Sequence, residues 1–129
     1  MRFKEPNGSP SLPRSYAPRF HQFPEAKVAD MAVTITIRAR LNGDQASMKK
    51  VHDDVTRATK EMALQAGDIS HKVYLNPMDP RDFLGIDIWH TPEQAQAFAG
   101  DPRIQEFFGK LFEGTPEVTL WVDSGWNQW

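Results

Sequence analysis

The chain has 129 residues, 40% hydrophobic and 25% charged, with a formal net charge of −2 and no cysteine. That length suits one domain with a modest core. The near-neutral balance gives no reason to expect nucleic acid as the main partner, no apolar run approaches the ~20 residues of a membrane span, and disulfides, thiolate nucleophiles and zinc–sulfur sites are excluded.

Residues 1–30 hold Pro6, Pro10, Pro13, Pro18 and Pro24, five of the ten prolines. They show no helical or strand periodicity, as expected of an extended proline-rich arm. The opening MRFKEPNGSPSLPRSY lacks the apolar core of a secretory signal, so a cytoplasmic protein is expected. The arm also carries Phe3, Tyr16, Phe20 and Phe23. It reads either as a loose leader or as an arm whose aromatics dock on a partner subunit.

The folded domain is expected over residues 31–123. Val33 to Leu41, VTITIRARL, alternates strictly, with Val33, Ile35, Ile37 and Ala39 on one face and Thr34, Thr36, Arg38 and Arg40 on the other: a half-buried strand. Asn42-Gly43 breaks it and Asp44 caps a helix to Ala66. Its apolar stripe is Met48, Val51, Val55, Ala58 and Met62. Lys49/Asp53, Lys50/Asp54 and Arg57/Glu61 pair on outer faces, and His52 reads as part of a solvated face. Gly67 is placed to cap the C-terminus.

Two strands follow, Ile69 to Leu75 and Phe83 to Trp89, joined by a loop from Asn76 to Asp82 that is rich in proline and Asx residues. The preferred register sets Leu75 opposite Leu84, Val73 opposite Ile86 and His71 opposite Ile88. The core face then reads Ile69, His71, Val73, Leu75, Leu84, Ile86, Ile88. The other face pairs Lys72 with Asp87 and Tyr74 with Gly85, and carries Trp89. Thr91-Pro92-Glu93-Gln94 opens a short helix as a capping box. Gly100-Asp101-Pro102 stops it and starts another, with the stripe Ile104, Phe107, Phe108, Leu111. Gly114 to Pro116 turns into a last strand, Val118 to Asp123. Residues 124–129 form an aromatic tail ending in Trp126 and Trp129, which suit a subunit contact.

The order β-α-β-β-α-β is that of the ferredoxin-like split βαβ unit. The fold class is therefore α+β: a four-stranded antiparallel sheet with helices on one face. The other face, with Thr34, Thr36, Arg38, Lys72, Tyr74, Asp87, Trp89 and Trp121, is too aromatic for water and too polar for a dry core. Two such sheets packed face to face would bury it in a homodimer.

The stretch GDISHKVYLNPMDPRDFLGIDIWHTPEQAQAF resembles the antibiotic biosynthesis monooxygenase family of dimeric α+β barrels. Gly67, Tyr74, Asp79, Pro80, Phe83, Asp87, Trp89, Thr91 and Glu93 stand at that family's pattern positions, and the resemblance spans about residues 33–122. It implies a dimeric barrel and, for part of the family, cofactor-free oxygenation of quinols and polycyclic aromatics. Haem-degrading relatives use a histidine in the second helix and an asparagine in the first strand. AQAFAGDPRIQEFF and VTITIRARL have neither, so haem cleavage is disfavoured.

A cofactor-free oxygenase must deprotonate a phenol or quinol, hold the anion and exclude water. His71 is the candidate base, or else a core histidine satisfied by a backbone carbonyl. Asp87 is a candidate catalytic partner or only a cross-strand mate of Lys72. Arg38 and Tyr74 could orient or stabilise an oxyanion on the other face. Trp89 could stack on an aromatic ring, and a pocket is expected near Trp89, His71 and Phe98, where the helix break leaves the sheet incompletely covered. His21, His52, His71 and His90 have no metal-ligand spacing, and no cofactor motif is present. Three functions stay open: an oxygenase acting on a small aromatic molecule, a non-catalytic binding or stress-response dimer, and a non-redox isomerase or dehydratase.

Overall fold

Alternating branched and polar residues make β1 (Val33–Leu41), and a run of good helix formers makes α1 (Gln45–Ala66). The computed structural model describes residues 32–129; the arm of residues 1–30 lies outside them. β2 (Asp68–Asn76) and β3 (Asp79–Trp89) form a hairpin, α2 (Pro92–Ala99) and α3 (Pro102–Leu111) follow, and β4 (Phe112–Trp121) closes the domain. The four strands pair antiparallel in the order β2-β3-β1-β4, the ferredoxin-like order. The helices cover one face and leave the other open.

The caps form as the residue types require. Asp44 accepts from Ser47 N at 2.9 Å at the start of α1, and Thr91 Oγ1 accepts from Gln94 N at 3.1 Å at the start of α2. The return half of the second capping box is not made: the Gln94 amide lies over Gly67, and its Oε1 is buried without a hydrogen-bond partner among the described residues. Gly67 ends α1 at φ 114°, a conformation that costs other residues strain. Along α1 the inner side runs through Thr59, half-buried, rather than the exposed Ala58. β4 begins at Phe112 rather than Val118, and the expected turn at Gly114–Pro116 is a bulge within it, between the pairs Arg38–Glu117 and Arg40–Glu113, with Gly114 at φ 76°.

The hairpin differs from expectation in loop and register. Only Pro77 and Met78 separate the strands, because the Asx side chains serve the pairing: Asn76 Oδ1 accepts from Met78 N at 2.9 Å and Asn76 Nδ2 donates to Asp82 at 3.0 Å. Pro80 is tolerated near the start of β3, beyond the last β1 pair, Arg40–Asp82. Leu75 consequently stands opposite Phe83, Val73 opposite Gly85 and His71 opposite Asp87. That is one residue away from the expected register, so β3 turns over. Phe83, Gly85, Asp87 and Trp89 face the helices, and Leu84, Ile86 and Ile88 face the open side. Asp87 and Trp89 are thus not on the open face, and Lys72 does not pair with Asp87. The large rings fill the space under the helices better than the aliphatic set would: Phe83 and Trp89 are 5% and 4% exposed. Gly85 leaves room for Phe83, whose ring comes within 3.2 Å of where a Cβ would stand.

Two apolar clusters result. One joins Leu41, Phe83, Leu111 and Phe112; the other joins Val33, Trp89 and Ala95, with Phe98 and Ile35 against it. Phe83 meets Phe112 edge to face at 4.9 Å between centroids, a contact that contributes about 0.5–1.5 kcal/mol beyond area burial. A Gly67→Ala substitution tests the joint between α1 and α2, since its Cβ would collide with the Gln94 amide in a backbone already at positive φ. It should lower the melting temperature by about 4–8 °C for each kcal/mol lost. Adding Gln94→Ala should recover the steric part alone, and full recovery would show that the backbone conformation costs nothing.

Candidate active site

The gap between the two clusters is polar. Asp87 lies between Phe83 and Trp89 on the inward face of β3, and the cross-strand register brings His71 of β2 opposite it. His71 Nδ1 lies 2.9 Å from Asp87 Oδ1, with the side chains 36% and 13% exposed. An ionised carboxylate can only accept, so the Nδ1 of His71 carries the hydrogen and Nε2 is left as the basic nitrogen. Asp87 holds the His71 imidazole above its ordinary pKa by accepting its hydrogen bond and, less, by its charge, against an opposing effect of burial.

Two residues read otherwise in the sequence join this pair. His52, expected on a solvated face, has a side chain only 15% exposed. It lies against Phe83 and Phe107, and its Nε2 is 2.9 Å from Nε2 of His71. Asp68, directly after the Gly67 cap, is 7% exposed, and its Oδ1 has no hydrogen-bond partner among the described residues. Burial first, then the hydrogen bond and charge of Asp87, push the Asp68 carboxyl up to about 9, so it is neutral at pH 7. The signal for His52 was its position four residues after Met48 and beside Val51 and Val55. The signal for Asp68 was an acidic residue at the inward start of a strand.

The aromatic wall is next door. Trp89 and Phe98 lie 5.1 Å apart between ring centroids, tilted by 48°, and Gln94 sits above Gly67 beside them. The structure therefore brings together His71, Asp87, Trp89 and Phe98, adds His52 and Asp68, and leaves Arg38 and Tyr74 on the opposite face of the sheet. Arg38 forks onto Asp82 through Nε at 3.2 Å and Nη2 at 2.9 Å. Tyr74 is 49% exposed. Among the described residues no group of three histidine, aspartate or glutamate side chains could hold a metal ion.

Protonation ties this site to stability. Folded Asp68 keeps its proton to about pH 9, whereas an unfolded aspartate loses it near about 3.9. Between those values the folded state binds the extra proton, so stability falls as pH rises. His71 acts with the same sign: its contribution is full below its unfolded pKa and lost as pH rises through the raised folded value. Urea unfolding followed across neutral pH should show this decline. Asp68→Asn, which mimics the neutral acid, should flatten it and stabilise the protein on the alkaline side; an unchanged slope would mean that Asp68 is ionised in the fold.

No family model matches the chain, and no curated protein matches it. Solved structures do. SnoaB, a cofactor-independent oxygenase from Streptomyces nogalater, superposes with a TM-score of 0.58 at 16% identity, over 72% of this chain and 93% of that one. A protein from Bordetella bronchiseptica proposed to be an antibiotic biosynthesis monooxygenase gives 0.58 at 14% identity, over 72% and 97%. A conserved protein from Methanosarcina mazei Go1 gives 0.57 at 11%, over 77% and 99%. This chain therefore has the ferredoxin-like α+β fold of the structures named as antibiotic biosynthesis monooxygenases.

Proposed function

We propose that the chain is a cofactor-independent monooxygenase that oxidises a quinol or polycyclic aromatic substrate and works as a homodimer. The observation that carries this reading is the His71–Asp87 pair, 2.9 Å apart on the inner face of the sheet, within one strand repeat of the Trp89–Phe98 aromatic pair. For a planar ring to reach Trp89, which is 4% exposed, Phe98 must move aside; the ring's acidic hydroxyl would then point toward Nε2 of His71. That nitrogen takes the proton, and Asp87 stabilises the imidazolium that forms. The ionised ring gives an electron to dioxygen, and the superoxide so formed bonds to a ring carbon; loss of that carbon's hydrogen with cleavage of the O–O bond leaves a ring carbonyl and releases water, the substrate supplying all four electrons. The apolar clusters on either side keep water from the anion. The cofactor-independent chemistry named for SnoaB is consistent with this use of the fold.

The open sheet face supports the dimer. It presents Tyr74 and Trp121, 49% and 55% exposed, beside Leu84, Ile86 and Ile88 of β3. Trp121 Nε1 donates to Thr36 Oγ1 at 2.8 Å, which ties the indole to β1. A second copy laid on this face would remove the remaining exposed surface of these side chains from water, each contributing on the order of 1 kcal/mol.

Oxygen uptake with simple quinols tests the activity. His71→Ala should slow it by roughly 10²-fold or more, the scale of a lost general base. Trp89→Phe should raise KM more than it lowers kcat, because stacking acts on ground and transition states alike. A ligand that raises the melting temperature without turnover would favour the binding dimer instead. Light scattering at micromolar concentration should give a dimer that Trp121→Arg weakens; a stable wild-type monomer would sink that part of the reading.

A further inference from the structure

Both ring nitrogens of His71 are engaged. Nδ1 faces Asp87, and Nε2 lies 2.9 Å from Nε2 of His52. His52 directs its own Nδ1 to Asp53 Oδ1 at 3.0 Å. The rings are 19° from parallel with centroids 5.1 Å apart. With nitrogens so much closer than centroids, they meet end to end rather than face to face.

Counting hydrogens along this line leaves one solution. Asp53 and Asp87, as carboxylates, require a hydrogen on each Nδ1. Lone pairs repel across the Nε2–Nε2 contact, and so do two N–H groups, so that contact needs one hydrogen. Two rings therefore carry three hydrogens and a single positive charge between them. A metal ion does not fit the spacing: two nitrogens on one tetrahedral zinc, with bonds of about 2.0–2.1 Å, stand roughly 3.3 Å apart. Among the described residues the charged neighbours come from three elements. On α1, Asp53 is also paired with Lys49 at 2.6 Å. β3 supplies Asp87 and β2 the neutral Asp68, while Phe83 of β3 and Phe107 of α3 flank His52 with apolar rings. Thr56 Oγ1 also approaches His52 Nε2, at 3.4 Å.

We propose that His52 is a positioning residue of the site: it shares one proton with His71 and thereby occupies the nitrogen that a substrate hydroxyl must reach. This rests on the reading of His71 as the base. A hydroxyl arriving at Nε2 of His71 takes the place of His52, and the shared proton leaves with His52 toward Asp53 and water. The His71 side chain is 36% exposed, so its ring can be approached from solvent. His52 thus competes with substrate and lowers its apparent affinity.

Nitrogen-15 spectra of the histidine rings across the neutral pH range test the shared proton. The two rings should respond to pH as one coupled pair, each reporting the same steps. In His52→Leu, and in His52→Gln, which preserves more of the packing volume and polarity, the His71 ring should titrate in one step. Two rings that titrate independently overturn the proposal, and the wild-type spectra decide this even if a variant folds poorly. With a quinol as probe, His52→Leu should lower KM several-fold; an unchanged or raised KM overturns the displacement. Coupled titration in a protein that takes up no oxygen with any quinol retains the shared proton and overturns only the oxygenase reading.

Discussion

The alternation of β3 is the constraint on which the rest depends. It is a central strand, paired on both sides, so its phase cannot change without both neighbours changing theirs. In the observed phase it gives the helices Phe83, Gly85, Asp87 and Trp89 and gives the open face Leu84, Ile86 and Ile88. Phe83 and Trp89 anchor one apolar cluster each, and Asp87, lying between them on the same face, is thereby held where water is scarce. A carboxylate in that position must have donors. His71 from the edge strand supplies one, and Asp68 adapts by staying neutral. The site is a consequence of packing rings of this size on every second residue of one strand.

This arrangement sets two kinds of chemistry side by side. The clusters exclude water and pack Trp89 against Phe98. The polar line between them stores protons, on Asp68 and between two imidazoles. Removing one partner of such a line leaves a buried charge uncompensated, so the line acts as a unit.

Much of the fold was legible from residue types alone. The alternation of VTITIRARL, the caps at Asp44, Gly67 and Thr91, and the break at Gly100-Asp101-Pro102 each act through local sterics or one hydrogen bond, and local causes can be read locally. The hairpin phase could not be read this way, because Leu84-Ile86-Ile88 and Phe83-Gly85-Asp87-Trp89 are both usable inner faces and only packing against the helices chooses between them. The shift put Asp87 opposite His71 instead of Lys72. It also removed Arg38 and Tyr74 from the neighbourhood of Trp89. His52 was hidden by its flanks: Lys49/Asp53 and Lys50/Asp54 do form exposed i,i+4 pairs, yet His52 turns inward between them. Asp68 was hidden by the turn that precedes it.

The charged side chains of the sheet are divided lengthwise. Arg38–Asp82, Arg40–Asp79 and Arg81–Glu113 gather at the hairpin end, with cation side chains 63%, 50% and 37% exposed. Asp68, His71 and Asp87 stand at the other end of β2 and β3, five residues from Asp82 to Asp87, or about 17 Å along the strand. Exposed pairs are screened by salt, whereas desolvated ones are screened much less. Ionic strength and acidity therefore act on opposite ends of one sheet: salt loosens the hairpin tip and spares the site, and alkali strains the site and spares the tip.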